Sequence, residues 1–229
     1  MEESDKPPYL SLNMIGEYSE ATKARKRSII SNQKKPKKFI FARYSSAKSA
    51  IKNFFAQDEF EPLCVKAKIN ELAKKVCSTD FQVNNRNCQI QALESFLTTN
   101  LDSSLKKFTF ERFRSKLKSI SIHGLTIGIS PDLVIRGEIN GQKVVGAIKL
   151  HFSKSGVFKG SAGRVAATGL YRFMNDIVAT EREVVIPSLC IVLDVFEQKT
   201  YQAPENIDFY MKKFINACDE IMDIWDNVA

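Results

Sequence analysis

Apolar residues recur at helical spacing in some stretches of the chain and alternate at strand spacing in others. Residues 1–20 carry two prolines and no strong periodicity, which predicts a partly mobile start. Phe39-Ile40-Phe41 reads as a short buried strand or an anchor. Between Ser46 and Gln57, the residues Ala47, Ala50, Ile51, Phe54 and Phe55 share one helical face. A second helix is predicted from Pro62 to Cys77, with Val65, Ile69, Leu72 and Val76 on one side and lysines on the other. Asn87 can cap a third, whose apolar face is Ile90, Leu93, Phe96 and Leu97.

Strand patterning then takes over. Ile120, Ile122 and Leu125 begin a strand, and Gly128 to Pro131 turns the chain. Asp132 to Ile139 and Lys143 to Phe152 flank Asn140-Gly141, a strong hairpin signal. Ser161 can cap a helix from about Gly163 to Thr180. Pro187 to Phe196 is rich in β-formers, Gln198-Lys199 turns, and Tyr201 follows. A last helix, Ile207 to Trp225, is predicted to bury Phe209, Phe214, Ile215, Cys218, Ile221, Met222 and Trp225.

The 229 residues are 44% hydrophobic and 26% charged, which is ordinary for a globular chain with a core of its own. The net charge of +8 is less ordinary and favours phosphate-rich or otherwise acidic partners. Five cysteines, widely spaced and without a C-x-x-C pair, together with two histidines, argue against a tetrahedral zinc site and for reduced thiols. The start has no apolar signal-peptide core, and the longest apolar run, Val184 to Phe196, is too short to span a bilayer. The expectation is a cytoplasmic protein with no membrane partner.

The hairpin gathers the candidate chemistry. With Asn140-Gly141 as the turn, opposed residues have numbers summing to roughly 281–282. Asp132 then lies across from about Lys149, and 147, 149 and 151 share one face of the third strand. Pro131-Asp132, a hairpin and then Val144-Val145-Gly146-Ala147-Ile148-Lys149 resembles the signature of the PD-(D/E)XK nucleases. The resemblance runs from about Cys88 to Trp225. It implies an α+β fold with a restriction-endonuclease-like α-β-β-β-α-β core in 87–229, preceded by a basic, mainly helical region over 1–86.

Carried onto this sequence, the resemblance makes Asp132 the motif aspartate and Lys149 the motif lysine. Glu94 becomes the helix glutamate, on or beside the inward face between Ile90 and Leu97. Asp132, Glu94 and the carbonyl of Ile148 would hold Mg²⁺ or Mn²⁺, with Lys149 steadying the transition state. Ala147 departs from the pattern, standing where the second metal carboxylate belongs. Glu138 lies too far along the strand to replace it, whereas Glu94, His151 or Asp176 are candidates.

The function implied is metal-dependent hydrolysis of phosphodiester bonds in DNA, in a bacterial, plasmid or phage setting of genome maintenance or defence. Two alternatives stay open. One is a nucleic-acid-binding relative that has lost catalysis. The other is a structural or inhibitory subunit whose basic face meets an acidic protein. Nucleases of this family often dimerise, which adds a homodimer or a larger complex to the expected partners. The basic run Lys23 to Lys38, with Lys34, Lys35, Lys37, Lys38 and Arg43, is the candidate grip on nucleic acid. Tyr44, Lys48 and Lys52 extend that surface, as do Lys106, Lys107, Arg112 and Arg114. Gly160 to Arg164 resembles a phosphate cradle at a helix start but lacks the P-loop lysine and spacing.

Overall fold

The computed structural model describes residues 7–35, 44–57, 60–154, 156 and 158–228. The fold is α+β. In chain order, β1 (Tyr9–Ser11) runs into α1 (Leu12–Ser19) and α2 (Lys23–Lys34). Then come α3 (Ser45–Phe55), α4 (Leu63–Lys74) and α5 (Asp80–Leu97). A 3₁₀ turn over Ser103–Lys107 leads to β2 (Thr109–Arg112), β3 (Ser119–Ile122), β4 (Leu125–Gly128), β5 (Leu133–Ile139) and β6 (Gln142–His151). After α6 (Ala162–Phe173) and a π turn over Met174–Val178, the chain closes with β7 (Val184–Asp194), β8 (Lys199–Gln202) and α7 (Ile207–Trp225).

Two mixed sheets form, ordered β1-β4-β3 and β2-β5-β6-β7-β8. In the larger one, β2, β5 and β6 are antiparallel neighbours, and β7 joins β6 in parallel after the α6 crossover. Thus α5, β2, β5, β6, α6 and β7 follow one another as helix, three strands, helix and strand. The small hairpin β3-β4 is inserted between the first and second of those strands.

Strand alternation splits the core into two layers. Val134, Val145, Ala147, Cys190 and Val192 face a cluster that includes α1, α6, α7 and the small sheet. Leu133, Ile135, Ile148, Leu150 and Ile191 face the other cluster, built with α3, α4 and α5.

The hairpin has the expected register: Leu133 opposes Ile148, and Ile139 opposes Gln142 across the turn. Asn140 and Gly141 both have positive φ, 51° and 77°, as a two-residue turn matching the strand twist requires. Pro187 lies inside β7, where a proline would ordinarily end pairing. It is tolerated because β7 bulges there: Ile186 to Leu189 lie opposite the single Gly146.

Several expectations change. Residues 7–20 are an ordered part of the core, because β1 pairs in parallel with β4 and buries Leu10, Leu12, Ile15 and Tyr18 completely. The Lys23–Lys34 run is a helix, anchored through Ile29 and Ile30. Thr79, not Asn87, caps α5 by accepting the Gln82 N–H, so residue 86 lies within a helix. Ser161 does not cap α6; its hydroxyl donates to Glu20, and that carboxylate at the helix start opposes an anion cradle. The strand expected from Ile120 to Leu125 is a hairpin turning at His123-Gly124, both with positive φ. Phe209 is half-exposed at the start of α7. The strand expected at Phe39–Phe41 lies outside the described residues.

Candidate functional site

Asp132 stands immediately before β5, at the open end of the hairpin, and is buried at 4% exposure. Its backbone N–H donates to the Ile148 carbonyl at 2.8 Å, continuing the ladder by one step. Its Oδ2 accepts the Leu150 N–H at 2.8 Å. Its Oδ1 pairs with Lys48 Nζ from α3 at 2.6 Å. Both oxygens of this carboxylate are therefore engaged.

Lys149 is at the same end of the sheet, as the register required, yet it is not the ion-pair partner of Asp132. Its ammonium donates to the Ser130 carbonyl at 2.6 Å. Burial pushes the Lys149 ammonium below its ordinary pKa; Asp132 opposes that shift, while Lys48 and Lys52 add to it. Lys52 is lowered by the same burial, with Asp132 opposing and Lys48 and Arg112 adding. Lys48 and Lys52 are one turn apart on α3, so they lie on one stripe of the helix. Arg112 ends β2 opposite Leu133, and its Nη2 donates to Asn53 on α3 at 2.7 Å. Lys48 thus contacts the carboxylate, Lys52 and Lys149 feel its charge, and Arg112 stands beside Lys52, where β2, β5 and β6 meet α3.

This donor set does not fit a divalent metal. Mg²⁺ asks for several oxygens, ordinarily from one or two carboxylates, and Asp132 is the one acid of the cluster. Ala147 opposes Val134 and is fully buried among apolar side chains, so a carboxylate there would meet no polar partner. The expectation of an inward Glu94 is corrected: it is solvent-exposed on α5, where Ala92 and Leu93 supply the buried face, so burial demands no metal. The Ile148 carbonyl is taken up by the Asp132 N–H. Among the described residues, no group of three His, Cys, Asp or Glu side chains could hold a metal ion.

The other expected contributors are elsewhere. His151 is buried against Phe158, with ring centroids 4.3 Å apart, and its Nε2 meets the Gly156 carbonyl at 2.8 Å. Asp194 lies 4.0 Å from it and accepts the Phe158 and Glu197 N–H groups, so this pair clamps the chain after β6. Asp176 pairs with Arg172 on the protein surface. Lys34 donates to the Trp225 and Val228 carbonyls at 2.9 and 2.8 Å, which makes it a clasp for the end of α7 and leaves little of it for phosphate. Lys35 is exposed just beyond α2, while Lys37, Lys38 and Arg43 lie outside the described residues.

The sequence holds no further guide. The chain matches no protein-family model and no curated protein. Sequence reasoning put Lys48, Lys52 and Arg112 on a basic surface but missed that they close around Asp132. The one available signal was the Lys48/Lys52 spacing beside the apolar face of α3. No helix among the described residues is long and apolar enough to cross a membrane.

Proposed function

We propose that the chain is a nucleic-acid-binding protein on a PD-(D/E)XK-like core, gripping phosphate groups with lysine and arginine where relatives of that kind use a metal ion. One observation carries this reading: the charge balance around Asp132. Its carboxylate is already paired with Lys48, which leaves Lys52, Lys149 and Arg112 in positive surplus. Charge-assisted hydrogen bonds from such donors suit phosphate oxygens. The succession α5, β2, β5, β6, α6, β7 and the meeting of Asp132 and Lys149 at the open end of the β5–β6 hairpin support the likeness to that core. Buried, apolar Ala147 argues for binding without hydrolysis.

The test is fluorescence anisotropy with labelled single- and double-stranded DNA in EDTA across a salt series. Binding is expected without metal and should weaken steeply with salt. Lys52→Ala and Arg112→Ala should each lower the salt slope by roughly one unit. Failure to bind at low salt sinks the reading.

A second reading, the Mg²⁺- or Mn²⁺-dependent deoxyribonuclease, is favoured by the in-register Asp132 and Lys149 alone. Cleavage of plasmid or single-stranded DNA that needs either metal and stops in Asp132→Ala would replace the first reading by the second.

A further inference from the structure

We infer that the Asp132 end of the sheet receives a terminal phosphate, a phosphomonoester at the end of a nucleic-acid strand, in preference to the diesters of its interior. This rests on the nucleic-acid reading above and narrows it to one part of the ligand.

Lys149 is the first reason. It is half-buried, its hydrogen bond goes to a neutral carbonyl, and no carboxylate among the described residues forms an ion pair with it. A cation withdrawn from water without a counterion is costly, so an anion is the natural missing partner. Lys52 repeats the pattern: half-buried on α3, it pairs with no carboxylate among the described residues. Arg112 spends its stated hydrogen bond on the neutral Asn53 amide.

Charge gives the second reason. The Lys48 ammonium offsets the Asp132 carboxylate at 2.6 Å, and three cations remain. A diester brings one negative charge, whereas a phosphomonoester brings about −1.5 to −2 and three terminal oxygens. Three oxygens can accept separately from Lys52 on α3, Lys149 on β6 and Arg112 on β2. The lowered lysine pKa values agree, because an arriving dianion would relieve the crowding of like charges that helps lower them.

The third reason is the role of Asp132. With one oxygen on the Leu150 N–H and the other on Lys48, it fixes Lys48 in place. It is a positioning residue for the cationic cluster.

The experiment compares one short DNA strand bearing a 5′-phosphate, a 3′-phosphate or hydroxyls at both ends, each bound by the full chain in EDTA. Inorganic phosphate and a nucleoside monophosphate serve as competitors. One phosphorylated end should bind at least about tenfold tighter than the hydroxyl-ended strand. Millimolar inorganic phosphate should erase most of that difference. Lys149→Met, which keeps the side chain's length and removes its charge, and Lys52→Ala should each remove the preference, so that phosphorylated and hydroxyl-ended strands bind the variant alike. Thermal melts will show that both variants fold.

Equal binding of all three strands overturns the inference and leaves the nucleic-acid reading standing. Binding of none overturns both. A preference that survives both substitutions puts end recognition elsewhere and also overturns it. Tight binding of inorganic phosphate or the monophosphate, with no gain from the attached strand, assigns the site to a small phosphate ligand and overturns the nucleic-acid source.

Discussion

Strand β5 and the residue before it carry two charged centres, and they are partnered in opposite ways. At Arg136, one guanidinium meets two carboxylates, Glu183 at 2.7 Å and Glu111 at 3.0 Å, which tie β5 to β2 and to the start of β7. At Asp132, one carboxylate meets Lys48, while Lys52, Lys149 and, beside Lys52, Arg112 form no ion pair among the described residues. The first network is closed, because each of its charged groups is hydrogen-bonded to an opposite charge within the fold. The second is open, and its surplus is of one sign. Burial of charge alone does not mark a functional site, since structural ion pairs are buried too. Imbalance beside a sheet end is the more telling property.

Substitutions can break that comparison. The largest effect is expected for Asp132→Ala, which strands Lys48 and removes the acceptor of the Leu150 N–H. The loss should be about 3 kcal/mol in urea denaturation, the lower end for a buried pair because Lys48 keeps some access to water. At the closed network, Arg136→Met should cost about 1–2 kcal/mol, since Glu111 and Glu183 are left facing one another without their cation. Lys149→Met should instead be neutral or stabilising, because it removes a cation without a counterion. If Lys149→Met costs as much as Arg136→Met, the distinction between the two centres fails.

The smallest effect is in the pH dependence of the closed network. Burial alone would raise the Glu183 carboxyl, but the Thr180 N–H and hydroxyl and the Arg136 guanidinium outweigh it and hold the group below its ordinary value of 4.5. Its stabilising contribution is therefore full above that value and disappears as the pH falls through the lower, folded one. Thermal melts from about pH 3 to 7 should show a gentler acid decline in Glu183→Gln than in the parent chain.

Much of this fold was legible along the chain, and what was missed has identifiable causes. Asn140-Gly141 fixed the hairpin register, because two adjacent positive-φ residues between alternating apolar runs leave little choice. The boundaries of α7 followed from its long apolar stripe. The turn at His123-Gly124 escaped notice because histidine seldom takes φ of 47°. The first turns of α5 are polar and solvated, so periodicity could not reveal them. The core strand β1 is three residues long and is held by a partner far away in sequence. The site divides the same way. Register predicted that Asp132 and Lys149 would meet, whereas the Lys48 contact depends on how α3 docks on the sheet, which no local pattern encodes.

The clasp of Lys34 on the Trp225 and Val228 carbonyls has a consequence for the order of assembly. In synthesis α2 precedes α7, yet the carbonyls that receive its lysine belong to the last turn of α7 and the residues after it. The parallel pairing of β1 with β4 imposes a similar wait. Neither α2 nor β1 can therefore be closed into place until the segments that receive them have been made, so their docking is a late step of folding.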